Sequence, residues 1–121
     1  MKRIMLIDDD KMFNFLNKRI VEKMQVFDQI TMFENAKSAL DDIPHKTPEY
    51  ILLDLMMPVM NGFQFLDELE KLPSALTKSI KVVVLTSSLM EEDYNKSMQY
   101  QNVIAFLSKP LDTEKIKRYI H

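Results

Sequence analysis

The chain has no cysteine, no tryptophan and a single glycine among its 121 residues. Without cysteine the protein cannot form disulfide bonds or use a thiolate, and this fits the reducing cytoplasm, where we expect the protein to act. No apolar run approaches the roughly 20 residues that span a bilayer, and the first residues do not have the layout of a signal peptide. We therefore expect no membrane segment.

An excess of charge of one sign is also missing, because 16 basic residues are balanced by 18 acidic ones, for a formal net charge of −2. This balance gives no electrostatic support to a nucleic-acid-binding surface, so we expect no direct contact with nucleic acid. The length and the hydrophobic content of 46% are ordinary for one globular domain. The sequence predicts a single domain over residues 1–121, with no output domain in this chain.

Short apolar runs alternate with amphipathic segments along the chain. We predict five strands from the apolar runs, because each has the length and composition of a buried or edge strand. These strands are residues 4–7, 27–33, 50–53, 80–85 and 103–107. The second run is interleaved with polar residues, which is typical of an edge strand.

Helical spacing between these runs predicts five helices. Apolar residues at this spacing are Phe13, Leu16, Ile20 and Met24, which make the first helix amphipathic, and Phe65, Leu66, Leu69 and Leu72, which form the inner stripe of the third. Met90, Tyr94 and Met98 mark the fourth helix, and the last helix carries Ile116 and Ile120. Asn35 and Asp112 are suitable caps for the second and fifth helices. Ser88, with Glu91 three residues later, fits a capping box for the fourth.

Five strands alternating with five helices favour an α/β fold, a doubly wound parallel sheet covered on both faces. Ligands of such sheets bind outside the carboxyl ends of the strands, where the strand order reverses. Polar side chains follow four of the predicted strands at this end, namely Asp8, Asp9, Asp54, Thr86 and Lys109. We therefore expect these side chains to converge on one crevice.

Asp54 is a lone carboxylate at the tip of a hydrophobic strand, where desolvation is costly unless the group has a partner or a function. Neighbouring carboxylates repel one another unless a cation neutralises them, and hard oxygen ligands suit Mg²⁺, with Mn²⁺ as an alternative. A hydroxyl at Thr86 and a positive charge at Lys109 could bind oxygens of a phosphoryl group, whose transfer needs mainly positioning and charge stabilisation. The pattern predicts that Asp54 is a nucleophile that forms an acyl phosphate.

The set Asp8-Asp9, Asp54, Thr86 and Lys109-Pro110, in this order on the βα alternation, resembles the CheY-like receiver domain of two-component response regulators. The resemblance covers essentially the whole chain and implies a flavodoxin-like (βα)5 fold with strand order 2-1-3-4-5. It also implies that Asp54 accepts phosphate from a sensor histidine kinase or a histidine phosphotransfer protein. The protein would then be a signalling switch in a phosphorelay and not a metabolic enzyme.

The same resemblance implies a set of metal ligands. Asp9, Asp54 and the backbone carbonyl of Met56 would bind Mg²⁺, and Asp8 would act largely through water. Thr86 would bond a phosphoryl oxygen and Lys109 would pair with the phosphoryl group. The peptide bond between Lys109 and Pro110 would be cis.

Phe106 falls at the switch aromatic of receivers. Movement of Thr86 towards the phosphoryl group would open space that Phe106 could fill by packing alone, because Phe106 has no phenolic hydroxyl. The resemblance implies a surface for a protein partner or self-association on the fourth helix, fifth strand and fifth helix, around Tyr94, Met98 and Ile116. The sequence departs from the usual pattern before the last strand, where Asn102, which tolerates left-handed backbone, stands in place of glycine.

Two other functions fit parts of this sequence but not the whole pattern. Asp8-Asp9-Asp10 also satisfies the Asp-x-Asp motif of haloacid dehalogenase phosphatases, but that family would want threonine or valine at Met12 and an acidic pair beyond the lysine. Asp112 follows Lys109 without an adjacent acidic residue, and the chain has no cap. A flavin-binding module would want a Ser/Thr/Gly-rich phosphate loop after the first strand, where this chain has three acids that repel phosphate.

Overall fold

The computed structural model describes residues 2–121, which form five strands and six helices. The strands are β1 (Arg3–Ile7), β2 (Gln29–Phe33), β3 (Tyr50–Leu53), β4 (Lys81–Thr86) and β5 (Val103–Ser108). The helices are α1 (Lys11–Met24), α2 (Ala36–Asp42), α3 (Gly62–Lys71), α4 (Ser74–Thr77), α5 (Glu91–Ser97) and α6 (Thr113–Lys117). The predicted alternation is therefore confirmed, with one helix more than the sequence indicated.

All five strands pair in parallel in the order β2-β1-β3-β4-β5. Every residue of the interior strands β1 and β3 except Arg3 is buried, because helices cover both faces of the sheet. The predicted edge position of β2 is confirmed. The order reverses between β1 and β3, so the crevice at this switch point is formed by the ends of β1 and β3.

Each face of the sheet has its own hydrophobic cluster. One cluster includes Ala39 of α2 and Leu66 of α3, and the other includes Val21 of α1 and Ile116 of α6. Alternate residues of the strands point into alternate clusters, as in Ile4 and Met5 of β1. This two-sided burial confirms the doubly wound α/β fold, and it fixes the strand ends that carry the polar residues.

The first helix is confirmed, but its predicted inner stripe is only partly right. Asn14, Asn17 and Val21 are its buried residues, whereas Leu16 is 45% exposed. The Nδ2 group of Asn14 donates to the backbone oxygens of Asp8 (2.9 Å) and Phe33 (3.0 Å), so the amide nitrogen is hydrogen-bonded in the interior. These two bonds join the ends of β1 and β2, which a helical hydrophobic pattern does not predict.

The chain between β4 and β5 corrects the predicted helix cap and shows the backbone conformation at Asn102. Ser88 is not the cap of α5, because the helix begins after Met90 and has no side-chain cap. Ser88 instead accepts a hydrogen bond from the backbone N–H of Met90 and bonds the carboxylate of Asp93. Asn102 is not left-handed, since the non-glycine residues with positive φ within residues 2–121 are Gln25 and Val59.

The amide of Asn102 has a different role, because its Nδ2 group donates to the backbone oxygens of Thr77 (2.8 Å) and Ile80 (2.9 Å). These bonds fasten the short helix α4, which the sequence did not predict, to the start of β5. Asn35 and Asp112 accept hydrogen bonds from backbone N–H groups in the first turns of α2 and α6, so both predicted caps are confirmed. Among the described residues, no helix has the length and apolar content needed to cross a membrane.

Candidate functional site

Asp54 follows β3 directly and is 4% exposed, so its carboxylate is buried at the end of a central strand. Its backbone N–H donates to the oxygen of Ile7 (3.0 Å), which continues the pairing of β3 with β1 by one residue. One carboxylate oxygen, Oδ1, accepts a hydrogen bond from the backbone N–H of Met56 (3.2 Å). The strand and the turn after it therefore hold Asp54 at the switch point.

Asp8 and Asp9 follow β1, which lies beside β3 in the sheet. Asp8 is 2% exposed, and its Oδ1 atom accepts the backbone N–H of Asp10 at 2.9 Å. Asp9 is exposed. One carboxylate oxygen from each of Asp8, Asp9 and Asp54 lies within 4.8 Å of the others. The structure therefore brings the three predicted carboxylates together.

Lys109 reaches this cluster from the end of β5. Its Nζ atom lies 2.8 Å from Oδ2 of Asp8 and 3.3 Å from Oδ2 of Asp54, and its side chain is 10% exposed. The backbone N–H of Lys109 bonds the oxygen of Thr86 (2.9 Å), and the Lys109-Pro110 peptide bond is cis, as the resemblance implied. The ammonium group thus bridges two of the buried carboxylates.

The electrostatics of the cluster are dominated by burial. Desolvation and the neighbouring charge of Asp8 raise the pKa of Asp54 to about 6, although Lys109 and the Met56 N–H act in the opposite direction. Desolvation tends to lower the pKa of Lys109, but the hydrogen bond to Asp8 and the charges of Asp8 and Asp54 together raise it above its usual value. Lys109 therefore stays charged and Asp54 is ionised above about pH 6.

Thr86 is the last residue of β4 and is completely buried. Its Oγ1 atom accepts a hydrogen bond from the backbone N–H of Ser88 (3.2 Å). A hydroxyl that accepts one bond still has its own hydrogen to donate. Thr86 is placed at the same edge of the sheet as the carboxylates, two strands from β1.

Phe106 lies on β5, where it is paired in register with Val84 of β4. It is half-buried against the hydrophobic cluster of α2 and α3, and its ring meets Tyr94 of α5 edge-on at a centroid distance of 5.5 Å. Tyr94 is 46% exposed. Ile116 is fully buried in the opposite cluster, so the sequence was wrong to place it on a partner surface.

The acidic cluster has a donor set that fits Mg²⁺. Three carboxylate oxygens lie close enough to share one ion, and they are the hard ligands that Mg²⁺ prefers. Because Asp9 is exposed while Asp8 and Asp54 are buried, the cluster opens to solvent on one side, which suits an ion that keeps several waters. The Met56 carbonyl and the water-mediated role of Asp8 stay predictions.

The sequence missed the contacts of two residues beside the site. A Cβ atom added to Gly62 would lie 2.7 Å from Cα of Leu55 and 2.8 Å from the oxygen of Asp54, so the start of α3 can approach the Asp54 turn only without a side chain. Phe13 lies with its ring centroid 4.2 Å from Nζ of Lys109. The sequence placed Phe13 among the apolar residues of an amphipathic first helix, and it contains no signal for either contact.

A family model described as "Response regulator receiver domain" matches residues 4–121. The chain is similar to the "Probable methanogenesis regulatory protein FilR2" of Methanothrix harundinacea, with 31% identity over 97% of this chain and 77% of that protein. It is also similar to "Response regulator Rre1" of Synechocystis sp., with 31% identity over 97% of this chain. The chain spans 49% of the length of that second relative.

A crystal structure of a two component response regulator from Cytophaga hutchinsonii has the same fold, with a TM-score of 0.89 and 26% sequence identity. The alignment covers 98% of this chain and 92% of that one. The family match extends over nearly all of the chain and includes every strand-end residue of the site. The chain therefore belongs to the response regulator receiver family of two-component signalling systems.

Proposed function

We propose that Asp54 is the phosphoacceptor of a receiver that takes part in a phosphorelay. The observation that carries the proposal is the convergence of Asp8, Asp9 and Asp54 with the ammonium group of Lys109 at the end of the sheet. Such a cluster is expensive to bury, and phosphoryl transfer is a reaction that uses both its negative and its positive groups.

The donor would be a phosphorylated histidine of a sensor kinase or a phosphotransfer protein. An oxygen of the ionised Asp54 forms a bond to phosphorus as the bond from phosphorus to the histidine nitrogen breaks, and the imidazole leaves with that electron pair. The Thr86 hydroxyl donates a hydrogen bond to a phosphoryl oxygen. The ammonium group of Lys109 moves from the Asp54 carboxylate to a second phosphoryl oxygen. There it stabilises the negative charge of the transition state.

A divalent cation, Mg²⁺ or Mn²⁺, would be held by Asp9, Asp54 and the Met56 carbonyl, with Asp8 acting through water. It would supply neutralisation of the carboxylates and of the transferred group. Asp9 is exposed to solvent, so the donor can reach the site from the side on which Asp9 lies.

Intact mass after incubation with acetyl phosphate tests the phosphoacceptor. We expect one added phosphoryl group per chain in the presence of Mg²⁺, none in a chelator and none in Asp54→Asn. Asp41→Asn is the matched control, because Asp41 is an exposed aspartate on α2, remote in sequence from the strand ends. Labelling of Asp54→Asn at the wild-type level would reject the role of Asp54, and labelling undiminished by chelator would reject the role of the metal.

We further propose that phosphorylation alters the surface formed by α5, β5 and α6. Thr86 drawn towards the phosphoryl group leaves space that Phe106 can occupy, and this removes the edge-on contact between Phe106 and Tyr94. Tyr94 of α5 and Met98, which directly follows that helix, are exposed large hydrophobic residues of this surface, at 46% and 38%. The two positions of Phe106 differ by packing alone. A partner that binds one of them modestly better is therefore sufficient to shift their populations.

Beryllofluoride, a stable mimic of the phosphoryl group, tests this route by backbone amide NMR in the presence of Mg²⁺. Amide shifts should extend from Asp54 through Thr86 and Phe106 into α5. Shifts confined to the residues that line the acidic cluster would contradict the route and would direct the search for a partner surface elsewhere.

The family match supports a signalling switch and not an enzyme with a metabolic substrate. We propose that its upstream partner is a histidine kinase or a phosphotransfer protein, and that its output is contact with a protein partner or a second copy through the α5–β5–α6 surface. The cytoplasmic location and the absence of direct nucleic-acid binding remain predictions from the sequence.

A further inference from the structure

Phe13 is a half-buried aromatic residue in the first turn of α1. Within residues 2–121 it belongs to neither hydrophobic cluster, and it is not among the partly buried side chains that pack against them. Two residues later on the same helix, Phe15 is 54% exposed. Core packing therefore does not account for the position of Phe13.

The contact that Phe13 does make is with the cation of the acidic cluster. The Nζ atom of Lys109 lies 4.2 Å from the centroid of the Phe13 ring, well within the distance of an attractive cation–π contact. The same Nζ atom lies 2.8 Å from Asp8 and 3.3 Å from Asp54. The ammonium group is therefore held by two carboxylates and by one aromatic face.

The chemistry of the third contact differs from that of the first two. A benzene ring attracts the cation through its quadrupole, but it offers no lone pair and forms no strong hydrogen bond. A polar side chain at this position would compete with an incoming phosphoryl oxygen for an N–H group of Lys109. The ring instead offsets part of the desolvation of a side chain that is 10% exposed, and it leaves the N–H groups to oxygen partners.

We propose that Phe13 is a positioning residue for phosphoryl transfer to Asp54, acting by holding the ammonium group of Lys109 over its ring. This inference rests on the function proposed above and adds to it a residue whose side chain has no oxygen or nitrogen atom to offer to the phosphoryl group or to a metal ion. Because Lys109 meets negative charge on the transferred group, loss of the ring should lower the maximal rate more than it alters the binding of the donor.

The test compares four proteins as full chains: wild type, Phe13→Leu, Phe13→Tyr and Phe15→Leu. Phe13→Leu keeps an apolar side chain but removes the aromatic face, and Phe13→Tyr restores that face. Phe15→Leu makes the same chemical change on the exposed side of α1. The rate of Asp54 phosphorylation is measured at several acetyl phosphate concentrations with saturating Mg²⁺, because a small donor avoids any contribution of α1 to docking of a protein donor.

We expect the maximal rate to fall about three- to tenfold in Phe13→Leu, in keeping with the strength of a partly desolvated cation–π contact. The half-saturating acetyl phosphate concentration should change less than twofold. Phe13→Tyr should stay within twofold of wild type in both quantities, and Phe15→Leu should match wild type. The Mg²⁺ affinity of all four proteins should agree, because Phe13 does not contact the carboxylates through a polar group.

A spectroscopic readout separates positioning from general structure. The ring current of Phe13 should move the Lys109 Hε resonances upfield in wild type and in Phe13→Tyr, and this displacement should be lost in Phe13→Leu. Phe13→Leu at the wild-type rate would overturn the inference. Equal loss of rate in Phe13→Leu and Phe13→Tyr, with a lowered melting temperature in both, would also overturn it and assign Phe13 to packing. Failure of wild type itself to accept phosphate would instead reject the function proposed for Asp54.

Discussion

Replacement of Asp54 by asparagine should stabilise the metal-free protein at neutral pH. Burial and the charge of Asp8 raise the pKa of Asp54 from 3.8 to about 6, so the folded state holds the proton more tightly than the unfolded chain does. The stability that comes from this proton is present in full below about pH 4, and it is lost as the pH rises through about 6. An asparagine side chain cannot ionise, so the variant avoids this loss.

The size of the effect follows from the shift. A change from 3.8 to about 6 corresponds to about 3 kcal/mol of unfolding free energy if it is fully expressed. The cluster opens to solvent beside the exposed Asp9, and screening there reduces the figure to about 1–2 kcal/mol. For a domain of this size that is an increase in the melting temperature of roughly 4–10 °C at pH 8.

The assay is thermal unfolding in chelator at several pH values from 4 to 8, with the difference between variant and wild type as the measured quantity. The gain in Asp54→Asn should be largest at pH 8 and should vanish near pH 4, where wild-type Asp54 is protonated. Asp41→Asn is the control, since the exposed pair of Asp41 with Lys37 at 3.5 Å contributes little at any pH. A gain that is independent of pH, or a lower melting temperature of Asp54→Asn at pH 8, would refute the reasoning.

Two further variants test the acidic cluster and the turn after it. Asp9→Asn should weaken Mg²⁺ binding at least tenfold, as measured by titration calorimetry, and unchanged Mg²⁺ affinity would remove Asp9 from the ligand set. The same variant should stabilise the metal-free protein less than Asp54→Asn does, because Asp9 is exposed. Gly62→Ala should lower the melting temperature, with a cost of about 1–3 kcal/mol, because the new Cβ atom would meet the backbone of Leu55 at 2.7 Å. A wild-type melting temperature in Gly62→Ala would show that the turn can move away.

The sequence predicted the sheet and the identity of the site residues because both are encoded locally. Strands such as Tyr50–Leu53 are recognisable as short apolar runs, and their ends are marked by the polar residues that follow. In a parallel sheet these ends lie at one edge, so Asp8, Asp54 and Lys109 could be assigned to one crevice before any distance was known. The resemblance to receivers supplied the strand order, which local pattern does not contain.

Only the tertiary structure decided which residues of each helix are buried and how far apart the side chains of the site lie. A helical pattern shows that one side of α1 is buried, but Asn14 replaces an apolar residue there because its amide bonds the backbone of β2, a segment 19 residues away. Likewise Ile116 is buried because of the direction in which α6 packs on the sheet. Asp54 and Lys109 carry ionisable groups in any conformation of the chain. Their distances from one another and from Phe13 exist only after folding, since the free energy of burial depends on which partners the fold brings within reach.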